Sequence, residues 1–118
     1  MGYLTTHILD TTKGIAAADV TIQLFKHSKD GQRQLIHTTI TNDDGRCDQP
    51  LLDAENFTSG VYELEFAIDK YFAKQGIEVT DPSFLNTVVI RFGISDESAH
   101  YHIPLLVSPY SYSTYRGS

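Results

Sequence analysis

The sequence predicts an all-β fold, an antiparallel β-sandwich of roughly seven or eight strands with one short helix. Three patterns point there. Apolar and polar residues alternate with a period of two, turn residues separate the alternating runs, and a single segment carries helix boundaries.

Residues 4–10 form the first candidate strand. In the next, Val20, Ile22 and Leu24 alternate with Thr21 and Gln23, and residues 35–41 make a shorter one. Tyr62, Leu64, Phe66 and Ile68 enclose the charged Glu63 and Glu65, which is the pattern of a strand with one wet face. Val88, Ile90, Phe92 and Ile94 form a further run, then Tyr101, Ile103, Leu105 and Val107, with residues 111–116 closing the set. Asp30-Gly31 and Asp44-Gly45 supply hairpin chemistry, while Asp81-Pro82 and Ser108-Pro109 mark two more breaks. The helix is expected over residues 69–75, with Asp69 as N-cap and Gly76 as the stop.

A chain of 118 residues suits one domain, residues 1–118, with neither linker nor repeat. Its formal charge of −6 argues against nucleic acid and against an anionic membrane surface as partners. Cys47 is the lone cysteine, so no intrachain disulfide forms, and a reducing compartment is the natural home. The start has no basic segment followed by an apolar one, and no run approaches the ~18 apolar residues of a spanning helix. The expectation is a cytoplasmic protein.

Strand alternation gives the first hint of function. If Leu4, Thr6 and Ile8 face the core, then Thr5, His7 and Leu9 face away from it. By the same rule His100, His102 and Leu106 lie opposite Tyr101, Ile103, Leu105 and Val107. Outer faces mixing histidine with leucine suggest a surface covered by another subunit. His27 and His37 read as ordinary surface residues, and the role of His100 is open. Terminal residues usually fray. Here three tyrosines, four serines and an arginine fill residues 107–118, which reads as a strand running to the end or as a sticky edge.

Four segments together resemble the signature stretches of the 5-hydroxyisourate hydrolases, purine-catabolic enzymes on the transthyretin fold. They are residues 4–11 (LTTHILDT), 41–46 (TNDDGR), 101–106 (YHIPLL) and the closing Tyr115, Arg116, Gly117 and Ser118. Gly60-Val61-Tyr62-Glu63-Leu64 and Tyr71-Phe72 are similar to the family's strand and helix. The terminal tetrapeptide is the specific part, because it separates these hydrolases from true transthyretins, which share the fold but bind hormones. Two loop positions depart from the family's frequent proline, namely Ala16 and Asn86. Proline there would mainly restrict the unfolded chain.

The resemblance implies hydrolytic opening of the six-membered ring of 5-hydroxyisourate, on the route from urate toward allantoin. Such a step needs an activated water, a stabiliser for the oxyanion and a proton for the leaving nitrogen. It assigns His7 and His102 to water activation and proton transfer, without saying which does which. Arg46 falls to substrate anchoring and charge stabilisation, since a guanidinium is always charged and forks onto planar oxygen-rich rings. Ser118 is expected at the substrate or the attacking water, Tyr115 against the substrate or with Arg116 holding the tail. No cofactor is required. Imidazoles of His7, His100 and His102 could be imagined around a metal, but no cysteine or carboxylate cluster accompanies them, so no metal is assigned. The resemblance also implies a homotetramer with a central channel. The competing expectation is a transthyretin-like carrier without catalysis, whose channel would be lined by apolar and small groups.

Overall fold

The computed structural model describes residues 2–77 and 80–117. Among these residues nine strands pair into two sheets, packed around one core. The strands are β1 Tyr3–Asp10, β2 Ile15–Ala16, β3 Thr21–His27, β4 Arg33–Ile40, β5 Leu52–Asp53, β6 Gly60–Phe66, β7 Val88–Ile94, β8 Tyr101–Val107 and β9 Tyr112–Thr114. The first sheet runs β2-β1-β8-β9 with β5 also on β1, and the second runs β4-β3-β6-β7. Antiparallel pairing holds throughout with one exception: β1 and β8 run parallel. The strand total exceeds expectation because β2 and β5 are two-residue pieces lying on β1, too short to show a period.

The alternation on β1 and β8 holds. Leu4 and Ile8 are fully buried and Thr6 nearly so, while Thr5, His7 and Leu9 are half-buried on the other side. Tyr101, Ile103, Leu105 and Val107 meet them in the core. Thr6 satisfies its buried hydroxyl by donating to the Ile103 carbonyl at 2.7 Å, which ties the parallel pair together.

Three expectations need correction. Residues 35–41 are not a half-buried strand: β4 has no buried residue, and Leu35, Ile36 and Ile40 are exposed because β4 lies at a sheet edge. Glu63 is not on a wet face but is 8 % exposed, held by Arg33 and His27. His27, read as an ordinary surface residue, is half-buried with its Nε2 3.1 Å from Glu63 Oε1. The helix, α1, spans Ile68–Lys74, one residue earlier than expected, with Ala67 rather than Asp69 at the cap position. Burial of Ile68 draws the chain into the core before Asp69, whose carboxylate accepts the Lys70 N–H at 2.9 Å instead.

One buried contact locks α1 to β1. The Tyr71 hydroxyl donates to Oδ2 of Asp10 at 2.8 Å, and Asp10 is wholly buried at the end of β1. Burial and the carboxylate together hold the Tyr71 phenol well above its ordinary pKa. Tyr71→Phe removes one donor from this carboxylate, and should cost about 1–3 kcal/mol of stability in denaturant unfolding. An unchanged midpoint would mean that Asp10 is satisfied without it.

Candidate functional site

The outer face of the β1/β8 pair carries the candidate site. Parallel register sets Thr5 beside His102 and His7 beside Pro104, so His7 and His102 project from the same face of neighbouring strands. Both are half-buried. The sequence alone could put each histidine off the core. Their adjacency depends on the register of two strands about a hundred residues apart, which local patterning cannot supply.

Arg46 reaches this face through the turn that follows β4. Asn42 organises that turn: its side-chain oxygen accepts the N–H groups of Asp44 at 2.9 Å and Arg46 at 3.2 Å, and its own N–H donates to the Arg46 carbonyl at 2.7 Å. Gly45 then lies against β1, its carbonyl accepting the Ile8 N–H at 2.9 Å. A side chain there would collide, since a Cβ would stand 2.5 Å from the Ile8 carbonyl oxygen, and the φ of +73° already favours glycine. The outcome is an antiparallel bridge between Arg46 and His7. Among the described residues no carboxylate pairs with the Arg46 side chain, which leaves its charge free for an oxygen-rich ligand.

Arg46 and His102 line one cavity of about 350 Å³, with Tyr3, Thr5, Thr6, Cys47, Gln49 and His100. Partial burial holds the His102 imidazole below its ordinary pKa, and the charges of Arg46, His100 and His7 push the same way. His102 is therefore neutral near pH 7 and able to take a proton. Its Nδ1 lies 2.8 Å from the Thr5 hydroxyl, and His100 Nε2 lies 3.2 Å from that same oxygen. The Tyr3 ring stacks on His100 with centroids 3.7 Å apart. Burial also raises the Cys47 thiol pKa, which keeps it protonated and a poor nucleophile.

The tail arrives along β8. After β9, the Arg116 guanidinium stacks over the Tyr101 ring at 4.0 Å, and the Gly117 N–H donates to the His102 carbonyl at 2.7 Å. A Cβ on residue 117 would sit 2.8 Å from Cδ2 of His102, so any larger residue than Gly117 has to displace that imidazole. Hence the tail closes directly on the histidine. Ser118 lies outside the described residues. Tyr115 is 61 % exposed and lines a separate groove with Arg91, Phe92 and Arg116, so the single chain does not bring it to His102. His27 sits on the second sheet with Glu63, and His37 on the exposed β4, both apart from the site.

Sequence reasoning assigned no role to Thr5, Tyr3 or Gln49. Thr5 had a usable signal, being two residues before His7 on the same strand face. Among the described residues no three His, Cys, Asp or Glu side chains converge as a metal site.

The chain is 54% identical over 118 residues to a 5-hydroxyisourate hydrolase of Ralstonia nicotianae, covering all of both chains. It is 52% identical to the 5-hydroxyisourate hydrolase of Pseudomonas aeruginosa, covering all of this chain and 93% of that one. Among solved structures, (S)-allantoin synthase superposes with a TM-score of 0.93 at 45% identity; 99% of this chain is covered but only 44% of that one, so the chain spans less than half of it. Sea bream transthyretin in complex with thyroxine gives a TM-score of 0.86 at 30% identity, covering 97% of this chain and 93% of that one. A family model described as the HIUase/Transthyretin family matches residues 4–117, and with relatives more than half identical along their length the chain belongs to that family.

Proposed function

We propose that this chain hydrolyses 5-hydroxyisourate, opening its six-membered ring on the route from urate toward allantoin, at the outer face of β1 and β8. The carrying observation is that Arg46 and His102 line one cavity, with His7 bridged to Arg46 through the backbone, and that the His102 imidazole is held below its ordinary pKa beside a guanidinium that no described carboxylate neutralises. A histidine takes a proton from water as the water oxygen attacks the ring carbonyl carbon. The carbonyl oxygen gains negative charge, and Arg46 stabilises it. The imidazolium then returns its proton to the ring nitrogen as the carbon–nitrogen bond breaks, leaving a carboxylic acid and a freed N–H. No step calls for a cofactor. His7 is the second imidazole for proton transfer, and Ser118 is assigned a contact with substrate or water on the resemblance alone. Tyr115 belongs to this reading only as a tail residue or as a contact supplied by a neighbouring subunit.

The whole reaction is assigned to one domain of residues 1–118, working in a reducing compartment such as the cytoplasm, in keeping with the free Cys47. Among the described residues no helix is long and apolar enough to cross a membrane. Carbon-13 NMR with ring-labelled substrate tests the proposal. A hydrolase makes the new carboxylate signal grow far faster than in buffer. A carrier of the transthyretin kind would leave the spontaneous rate unaltered or slowed, and that result would replace the hydrolytic reading.

We further read the working unit as a homotetramer. Strands β7 and β9 end their sheets with open edges, and Tyr112 and Tyr115 stand exposed along the β9 side. On the site's own face Leu9 and Leu106 are register partners and only half-buried, a pairing that favours coverage by another copy. Closed two-fold assembly satisfies both surfaces. Light scattering should then give about four times the 13.2 kDa chain mass. A fully active monomer would contradict this assembly.

A further inference from the structure

Two polar groups at the cavity have no part in the reaction as written above, Thr5 and His100. They are joined to His102 by a continuous hydrogen-bonded chain. The Thr5 Oγ1 lies 2.8 Å from His102 Nδ1 and 3.2 Å from His100 Nε2. This arrangement follows from register, because Thr5 sits opposite His102 and the histidines two residues apart project from one side. Stacking on Tyr3 fixes the far end of the chain at His100.

A threonine hydroxyl has one proton to donate. With both hydrogen bonds made, His102 Nδ1 and His100 Nε2 cannot both be bare. If Thr5 donates to His100, then His102 Nδ1 carries a proton and its Nε2 is a bare base. If Thr5 donates to His102 Nδ1 and His100 donates to Thr5, neutral His102 instead carries its proton on Nε2, which then cannot take one from water. We infer that Thr5 and His100 are positioning residues that set which nitrogen of His102 bears the proton, and so whether its Nε2 is bare and able to act as the base. The inference rests on the hydrolytic reading of His102.

The same chain serves both halves of the reaction. Once His102 has taken a proton from water at Nε2 it is an imidazolium, and its Nδ1–H stays hydrogen-bonded to Thr5 Oγ1. Donation of the Nε2 proton to the leaving nitrogen then returns His102 to the starting tautomer, so no proton is gained or lost.

The test compares Thr5→Val, which keeps the shape, Thr5→Ser, which keeps the hydroxyl, and His100→Phe, which keeps a ring on Tyr3. Steady-state rates and nitrogen-15 shifts of the His102 ring are read on each full-length protein. Thr5→Val and His100→Phe should each lower kcat roughly tenfold with KM within about twofold. Both should move the His102 Nδ1 and Nε2 signals to a different tautomer balance, whereas Thr5→Ser recovers to within about threefold of the original rate. Unchanged nitrogen signals in Thr5→Val would overturn the inference, as would a Thr5→Ser enzyme as slow as Thr5→Val, or a loss confined to KM. Failure of the hydrolytic reading looks different: the unaltered protein then shows no turnover, while the nitrogen-15 comparison still decides whether Thr5 controls the tautomer.

Discussion

His102→Ala should leave a folded protein whose ring-opening rate is lower by about a hundredfold or more, and Arg46→Ala should do the same. The two losses have different causes. Without the imidazole, neither water nor the leaving nitrogen has its proton partner. Without the guanidinium, the negative charge of the oxyanion is left unbalanced in a partly desolvated cavity. Arg46→Ala has a second signature, because the Arg46 charge is one of the causes that depress the His102 pKa. Depression favours the neutral base, so the acid limb of kcat/KM should lie below the ordinary imidazole range. Removing Arg46 lets that pKa rise, and the residual activity should fall away at a higher pH than in the unaltered protein. Near-normal rates in either variant would remove that residue from the mechanism. His37→Ala, on the exposed edge strand, is the matching control and should cost little.

Truncation before Tyr115 should abolish most of the activity, on the same hundredfold scale, while the far-ultraviolet spectrum stays native. The physical reason lies in how little the tail contributes to the core. Tyr115 and Arg116 are exposed, and the tail's recorded anchors are the Arg116 stack on Tyr101 and the Gly117 N–H on the His102 carbonyl. Losing those costs about 1–2 kcal/mol, too little to unfold a domain of ordinary stability. Gly117→Ala sharpens the test, since its methyl must displace the His102 imidazole. A truncated chain that unfolds would make the tail structural, and one with full activity would remove it from the site.

The faces of β1 and β8 were legible in the sequence because a period of two is a local property. Leu4, Ile8, Ile103 and Leu105 announced the core, and His7 and His102 followed as outward residues. Adjacency was not legible in the same way. The parallel pairing that sets Thr5 beside His102 joins the two ends of the chain, and only the resemblance to a known family implied that His7, Arg46 and His102 meet. The Asn42 turn explains Arg46, yet it reads in sequence as an ordinary Asp-Gly hairpin. Glu63 looked solvent-facing by alternation, but Arg33 and His27 from β4 and β3 cover it. Tyr115, which the resemblance gave to the substrate or to holding the tail, lines a separate groove with Arg91 and Phe92 in the single chain. In Glu63 tertiary pairing overrides the local pattern, and in the meeting of Thr5 with His102 it supplies what no local pattern holds.

The central claim is catalysis, many ring openings per chain, rather than binding. Ultraviolet absorbance of freshly generated 5-hydroxyisourate, in roughly thousandfold excess over protein, measures this directly against a typical kcat of order 1–1000 per second. The account predicts a complete decay much faster than the spontaneous one, proportional to protein concentration and absent with His102→Ala. A decay that matches buffer alone, or a change no larger than one substrate per chain, would contradict it.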